Sequence, residues 1–167
     1  MDKVKTIVYA SETGFTRKYA QLLAGKLGLK ICDHRQTFRR VKRKEPIIYM
    51  GWIMAGRIKG LRKARSRFNV CAVCGVGMGF PHESITMKLV KDNGLEGIPF
   101  FYMQGGVNPK ALGVFKKHML GLVADSLNGK DQRNAEEDAI LEMIEHGGSY
   151  VNTDIVNRVA QHVKRFT

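Results

Sequence analysis

The sequence predicts a single α/β domain, residues 1–167, built on a doubly wound, five-stranded parallel sheet with helices on both faces. Three observations lead there. Five short apolar runs alternate with helical segments, the pattern of strands buried on both sides. The first of these strands passes through a hydroxyl-rich turn directly into an amphipathic helix. A length of 167 residues is enough for one domain with a sizeable core.

In "KTIVYASETGFTRKYAQLLAGKLG", Val4, Ile7, Val8 and Tyr9 form the β-branched and aromatic run of a buried strand. Phe15, Tyr19, Leu22, Leu23 and Leu27 then recur at helical spacing, and Gly28 is a natural stop. A second, short strand is predicted around Leu29 to Cys32. "PIIYMG", opened by Pro46, is the third, "VCAVCG" the fourth and "IPFFYMQGG" the fifth. Helices are predicted around Ile58 to Ser66 and Glu83 to Lys91. After the fifth strand, Asn108 and Pro109 have the character of a helix cap and first helical residue. Leu112, Phe115, Met119, Leu122, Val123 and Leu127 follow as one apolar stripe, closed by "NG". The stripe reads as core-facing; the rival is a membrane-surface helix, suggested by Phe115, Lys116 and Lys117. "NAEEDAILEMIEH" is an acidic helix candidate. The closing helix, "DIVNRVAQHVKRF", turns Ile155, Val156, Val159, Ala160 and Val163 inward.

The composition is that of a soluble globular protein, 44% hydrophobic and 26% charged. No apolar run approaches a membrane span, and the chain enters a strand directly instead of a signal peptide. Three cysteines, an odd number, argue against a secreted disulfide framework, so a cytoplasmic location is expected. Cys71 and Cys74 have Cys-x-x-Cys spacing, but they sit in a buried strand, where residues three apart point to opposite faces. With no second pair to complete a zinc set, both read as small core residues, and no metal site is predicted.

The charge is unusual. Lys and Arg number 28 against 15 acids, giving +13. From Arg35 to Arg67 there are twelve basic residues against the single acid Glu45. Such concentration makes a patch, which would attract an acidic redox partner or an anionic substrate. Sparse aromatics and the lack of a nucleic-acid motif argue against nucleic acid.

The turn "SETGFT" matters most. The first helical turn aims unpaired amides beyond the sheet edge, where they favour an anion. The turn lacks the Lys of a P-loop and the three glycines of a dinucleotide fingerprint. Hydroxyls of Ser11, Thr13 and Thr16 around Gly14 suit a terminal monophosphate held by neutral hydrogen bonds. An ordinary capped helix would use the same residue types. The third and fourth strands end in "MGWIMAGRIKG" and "CGVGMGFPHE", glycine-rich and apolar, as a flat aromatic ring between two loops would require.

"SETGFT" at this place resembles the phosphate loop of flavodoxins, which holds the phosphate of FMN. The resemblance extends over nearly the whole chain and runs nearest to the flavin-dependent protoporphyrinogen dehydrogenase-like group. "IYMGWIMAGRIKG", "FYMQGGVNPKALGVFKKHMLGLVADSLNGKD" and "YVNTDIVNRVAQHVKRF" are similar to that group's third strand and loop, its fifth strand with a helical insertion (about 108–151), and its last helix. It implies a flavodoxin-like sheet of order 2-1-3-4-5, with the first strand's turn at the switch point. It further implies FMN as cofactor. Ser11, Thr13, Gly14 and Thr16, with Glu12 and Phe15 between them, would hold the phosphate. Gly51, Trp52, Ile53, Met54, Ala55 and Gly56 would form one wall of the ring site, and Gly77, Met78 and Gly79 the other. Trp52, which directly follows Gly51, could equally pack at the rim, and Ala55 stands where the dehydrogenases carry an aromatic.

The function expected is that of an FMN-binding redox protein, as an electron carrier or as a flavin-dependent oxidoreductase of the protoporphyrinogen dehydrogenase type. The flavin would carry the chemistry, so no catalytic side chain is assigned. Peripheral membrane contact would accompany the enzyme reading. A flavin-free basic binding module is the reading from a different class.

Overall fold

The computed structural model describes residues 3–167, apart from the side chains of Phe38, Phe115 and Phe166. In chain order the elements are β1 (Thr6–Ala10), α1 (Phe15–Leu27), β2 (Lys30–Asp33), α2 (Thr37–Arg40), β3 (Pro46–Met54), β4 (Arg57–Ile58), α3 (Leu61–Arg67), β5 (Asn69–Gly77), α4 (Glu83–Asp92), β6 (Phe100–Gln104) and β7 (Gly106–Val107). A 3₁₀ turn (Pro109–Ala111) and α5 (Val114–Asn128), α6 (Ala135–His146), β8 (Gly148–Ser149) and α7 (Thr153–Val163) complete the fold.

The five long strands pair in parallel in the order β2-β1-β3-β5-β6. Counting those strands alone, this is the 2-1-3-4-5 order of the flavodoxin-like fold. β1 is buried along its whole length, as its unbroken apolar run requires. On one face, Tyr19 and Leu23 of α1 and Val156, Val159 and Val163 of α7 pack on Ile7, Ile48, Met50 and Met103. On the other, Leu61 and Ala64 of α3 pack with Val8, Ile47, Tyr49 and Val73. Each fully buried aliphatic side chain contributes about 1.5–3 kcal/mol. The buried Tyr19 also joins three elements: its hydroxyl donates to the Gln104 carbonyl at 2.6 Å and accepts from the Asn152 amide at 3.0 Å.

Four local expectations are corrected. Arg57 and Ile58 are not helical; they return antiparallel to β3, Ile53 opposite Ile58, and α3 starts only at Leu61. Ala55 and Gly56, both at positive φ (48° and 73°), make the tight turn, as a two-residue hairpin requires. Cys71 and Cys74 do not face opposite ways. Ile47 pairs with Val70 and Ile48 with Ala72, so Cys71 is the extra residue of a bulge. The bulge breaks the period of two, and both sulfurs join the α1–α7 side. Burial pushes the Cys74 thiol up to about 12.

Asn108 does cap, accepting from the Lys110 amide at 3.2 Å, but only one 3₁₀ turn follows before the chain re-enters a helix at Val114. The stripe on α5 is not in the core. Leu122 is 56% exposed and Val123 40%, and α5 packs against α6. The side chain of Phe115 lies outside the described residues. Among the described residues, no helix is long and apolar enough to cross a membrane.

At the end of β2, the Asp33 carboxylate accepts from the Arg35 amide and Nε, both at 2.9 Å, and from its Nη2 at 2.8 Å. Those bonds pull the Asp33 carboxyl down to about 2. A depressed carboxyl stabilises the fold above its unfolded pKa, and that contribution fades as pH falls from about 4 to about 2. In Arg35→Ala, an NMR titration of Asp33 should show its pKa returning toward the ordinary range. An unmoved titration would mean that the Arg35 side chain is not the cause.

Candidate functional site

Four segments converge at the carboxyl ends of β1, β3, β5 and β6. The first is the turn after β1. Gly14 sits at φ 99°, a backbone that only glycine adopts without strain, and a Cβ there would meet nothing within 4 Å. Gly14 cannot cap α1 with a side chain. Ser11 takes part of that role, its Oγ accepting from the Arg17 amide at 3.3 Å. The hydroxyls of Thr13 and Thr16 make no hydrogen bond among the described residues, and both residues line the cavity described next. Thr16 is buried, only 2% exposed.

That cavity has a volume of about 250 Å³. Its second wall is the hairpin: Trp52, Ile53, Met54 and Ala55 all line it. Gly51 and Gly56 do not. A Cβ on Gly51 would come within 2.6 Å of Ile58 Cγ2 and 2.8 Å of the Lys59 carbonyl, so the return of the hairpin over β3 is what excludes a side chain there. The third wall is the end of β5, where Val76, Gly77 and Met78 line the cavity. A Cβ on Gly77 would fall 2.4 Å from the Tyr102 hydroxyl. That hydroxyl donates to the Gly79 carbonyl at 2.6 Å, and burial raises its pKa to about 12. Gly79 thus supports the loop from outside the cavity.

The fourth wall is made of residues that the sequence does not mark as site residues, although the insertion carrying α5 is expected to cover a substrate near the flavin. Gly105, Gly106 and Val107, just beyond β6, and Leu112, Met119, Leu120 and Val123 from α5 and its approach close the cavity. The apolar stripe on α5 therefore covers this space and not the core. "QGG" at the end of β6 could have signalled it, because in open α/β sheets ligands bind outside the carboxyl ends of the strands. One cation enters the site. Lys116 of α5 forms an ion pair with Glu12 of the β1 turn, and its Nζ lies 5.0 Å from the Trp52 ring centroid. Lys59 approaches the same ring at 5.5 Å. Trp52, half-buried, is thus held at the rim of the cavity by two ammonium groups.

Among the described residues, none of the twelve basic side chains from Arg35 to Arg67 lines this cavity; Lys59 reaches only the Trp52 ring at its rim. Glu45, the only acid of that segment, accepts from Thr6 Oγ1 at 3.1 Å and the Lys42 amide at 3.1 Å. Arg39, Arg40, Lys42 and Arg43 are exposed on α2 and the loop after it. Reversing these four to Glu should leave the melting temperature within about 3 °C of wild type, since exposed positions away from buried partners change stability little. A drop well beyond that in a calorimetric scan would make the segment structural.

Topology and cavity together define a flavodoxin-like α/β fold with an apolar cleft at the N-terminus of α1, the helix that follows β1. No protein-family model matches the chain, and no curated protein sequence matches it. Among solved structures, a flavoprotein in complex with FMN from Lactobacillus acidophilus aligns with a TM-score of 0.41 and 10% identity, covering 61% of this chain and 92% of that one. A protein from Bacteroides uniformis described as a flavoprotein aligns with a TM-score of 0.41 and 13% identity, covering 64% of this chain and 94% of that one. Neither similarity bears on what this chain binds.

Proposed function

We propose that the chain binds FMN in this cavity and works as a redox protein. One observation carries the reading: the amide-bearing N-terminus of α1, with the Thr13 and Thr16 hydroxyls beside it, opens into an apolar cleft between two loops. The residues present fit the group. Thr13, Thr16 and the first-turn amides offer donors to a terminal phosphate. The Ser11 hydroxyl can still donate while it accepts from Arg17. Ile53, Met54, Val76 and Met78 offer apolar walls to a flat ring and exclude water from it. FMN, when bound, supplies transfer of one or two electrons.

A narrower reading is favoured by α5. A carrier needs only an accessible ring edge, whereas this chain adds a wall of Leu112, Met119, Leu120 and Val123 over the cleft. Such a cover suits an oxidoreductase with its own apolar substrate, and the resemblance noted in the sequence makes a porphyrinogen the first candidate. The acidic propionates of that substrate class, or an acidic redox partner, would be drawn by the basic face.

The test is a titration of the protein, stripped of bound flavin, with FMN and with riboflavin. FMN should bind at least about tenfold more tightly, because riboflavin lacks the phosphate that the turn would hold. Equal affinity for the two would remove the turn from the site. Failure to bind either would overturn the flavin reading.

A further inference from the structure

A second concave surface lies across the β3–β4 hairpin from the cleft. It is an open groove of about 680 Å³ lined by Arg57 of β4, by Arg62, Arg65 and Ser66 of α3, and by Asn93 after α4. Two of its arginines are held in place. Arg57 Nη1 donates to the Asp92 carbonyl, and Arg65 Nη1 donates to the carbonyls of Asn93 at 3.2 Å and Gly94 at 2.6 Å. The Asn93 side chain fixes the groove floor, accepting from the Ile58 amide at 3.0 Å and donating to the carbonyls of Gly56 and Leu89, both at 2.9 Å.

Carbonyl acceptors orient a guanidinium without cancelling its charge, as a carboxylate would. Asp92 beside Arg57 interacts with it electrostatically, but its ion pair is with Lys88, at 2.6 Å. Arg62 makes no hydrogen bond or ion pair among the described residues, and it stands one helical turn from Arg65 on the same face of α3. Holding the C-terminal carbonyls of α4 accounts for one donor each of Arg57 and Arg65. It leaves their other donors, all of Arg62 and the concavity itself without a role. Guanidinium groups present several donors in a rigid fork that matches phosphate oxygens.

We propose that this groove is a binding site for a small anion bearing a pyrophosphate group, distinct from the cleft and independent of the flavin reading. Three arginine side chains lining a space larger than one phosphate suit two linked phosphates. The flat alternative, the backbone of a nucleic acid, would engage the exposed basic residues of α2 equally, and among the described residues no aromatic side chain lines the groove to stack on a base.

The experiment is calorimetric titration of the full chain with inorganic pyrophosphate, with orthophosphate and with a short duplex DNA, all at the same ionic strength. Wild type should bind pyrophosphate more tightly than orthophosphate. Arg62→Gln, which removes no internal contact, should weaken pyrophosphate about tenfold, while Arg43→Gln, equal in charge change but outside the groove, should shift it less than about twofold. Arg57→Gln should weaken it similarly, with circular dichroism checking that α4 is intact. Equal losses in Arg43→Gln and Arg62→Gln would reduce the effect to general attraction and overturn the site. So would an unchanged affinity in Arg62→Gln, or duplex DNA binding with no binding of pyrophosphate.

Discussion

Thr13→Val should weaken FMN about ten- to a hundredfold while leaving riboflavin affinity unchanged. Each hydrogen bond from a hydroxyl to a charged phosphate is worth about 1.5–3 kcal/mol, and tenfold in affinity corresponds to about 1.4 kcal/mol. Thr16→Val is the companion variant. Thr16 is buried, so the isosteric valine keeps the packing of α1 while removing the hydroxyl. A thermal melt of each variant separates a lost phosphate contact from a loosened helix. The pairing with riboflavin is what makes the result specific: a mutation that harms the ring site lowers both ligands together. If both valine variants keep wild-type affinity for FMN, the turn is a helix cap and nothing more.

Excising residues 109–146, which joins Asn108 to Gly147, should abolish porphyrinogen oxidation while keeping FMN affinity within about tenfold. Val107 of β7 lies opposite Gly148 of β8, so an Asn-Gly turn can rejoin the chain there without moving the sheet. The deletion removes Leu112, Lys116, Met119, Leu120 and Val123 from the cleft and leaves the β1 turn, the hairpin and the end of β5 in place. Anaerobic mixing of the FMN-loaded protein with protoporphyrinogen, followed by the flavin absorbance, reads out the intact chain. If the flavin of the intact chain stays oxidised while dithionite reduces it, the porphyrinogen reading fails and the carrier reading takes its place. If the excised chain oxidises porphyrinogen as fast as the intact one, α5 is no substrate cover. Loss of all FMN binding would mean that α5 belongs to the cofactor site.

The elements that were legible in the sequence are those whose pattern reports their own surroundings. β1 and α1 were readable because an unbroken apolar run and a 3.6-residue period each describe burial directly, and Gly28 marks the stop in the left-handed conformation that favours it (φ 66°). α7 was readable for the same reason. The hairpin was not, because its turn is Ala55-Gly56, and an alanine at φ 48° is a conformation that the sequence does not advertise. The bulge at Cys71 was hidden because one extra residue leaves composition untouched and changes only the phase. The stripe on α5 misled for a deeper reason. Periodicity states that one face of a helix is apolar, but a core and a ligand cleft ask for the same face. Lys116 could not be placed at all, since its partner Glu12 lies more than a hundred residues earlier in the chain.

The β7–β8 pairing has a consequence for how such a chain can diverge. The segment carrying α5 and α6 leaves and re-enters the sheet domain at two adjacent points, Gly106 opposite Ser149 and Val107 opposite Gly148. A side chain at Gly106 would strike the Gly148 carbonyl, its Cβ only 2.1 Å away, so the doorway itself tolerates little change. Behind that doorway the segment can lengthen, shorten or be rewritten while the β1 turn and the strand order stay as they are. If the proposed function holds, preference for a reaction partner and retention of a cofactor would be inherited on separate stretches of the chain, and selection could alter the first without disturbing the second.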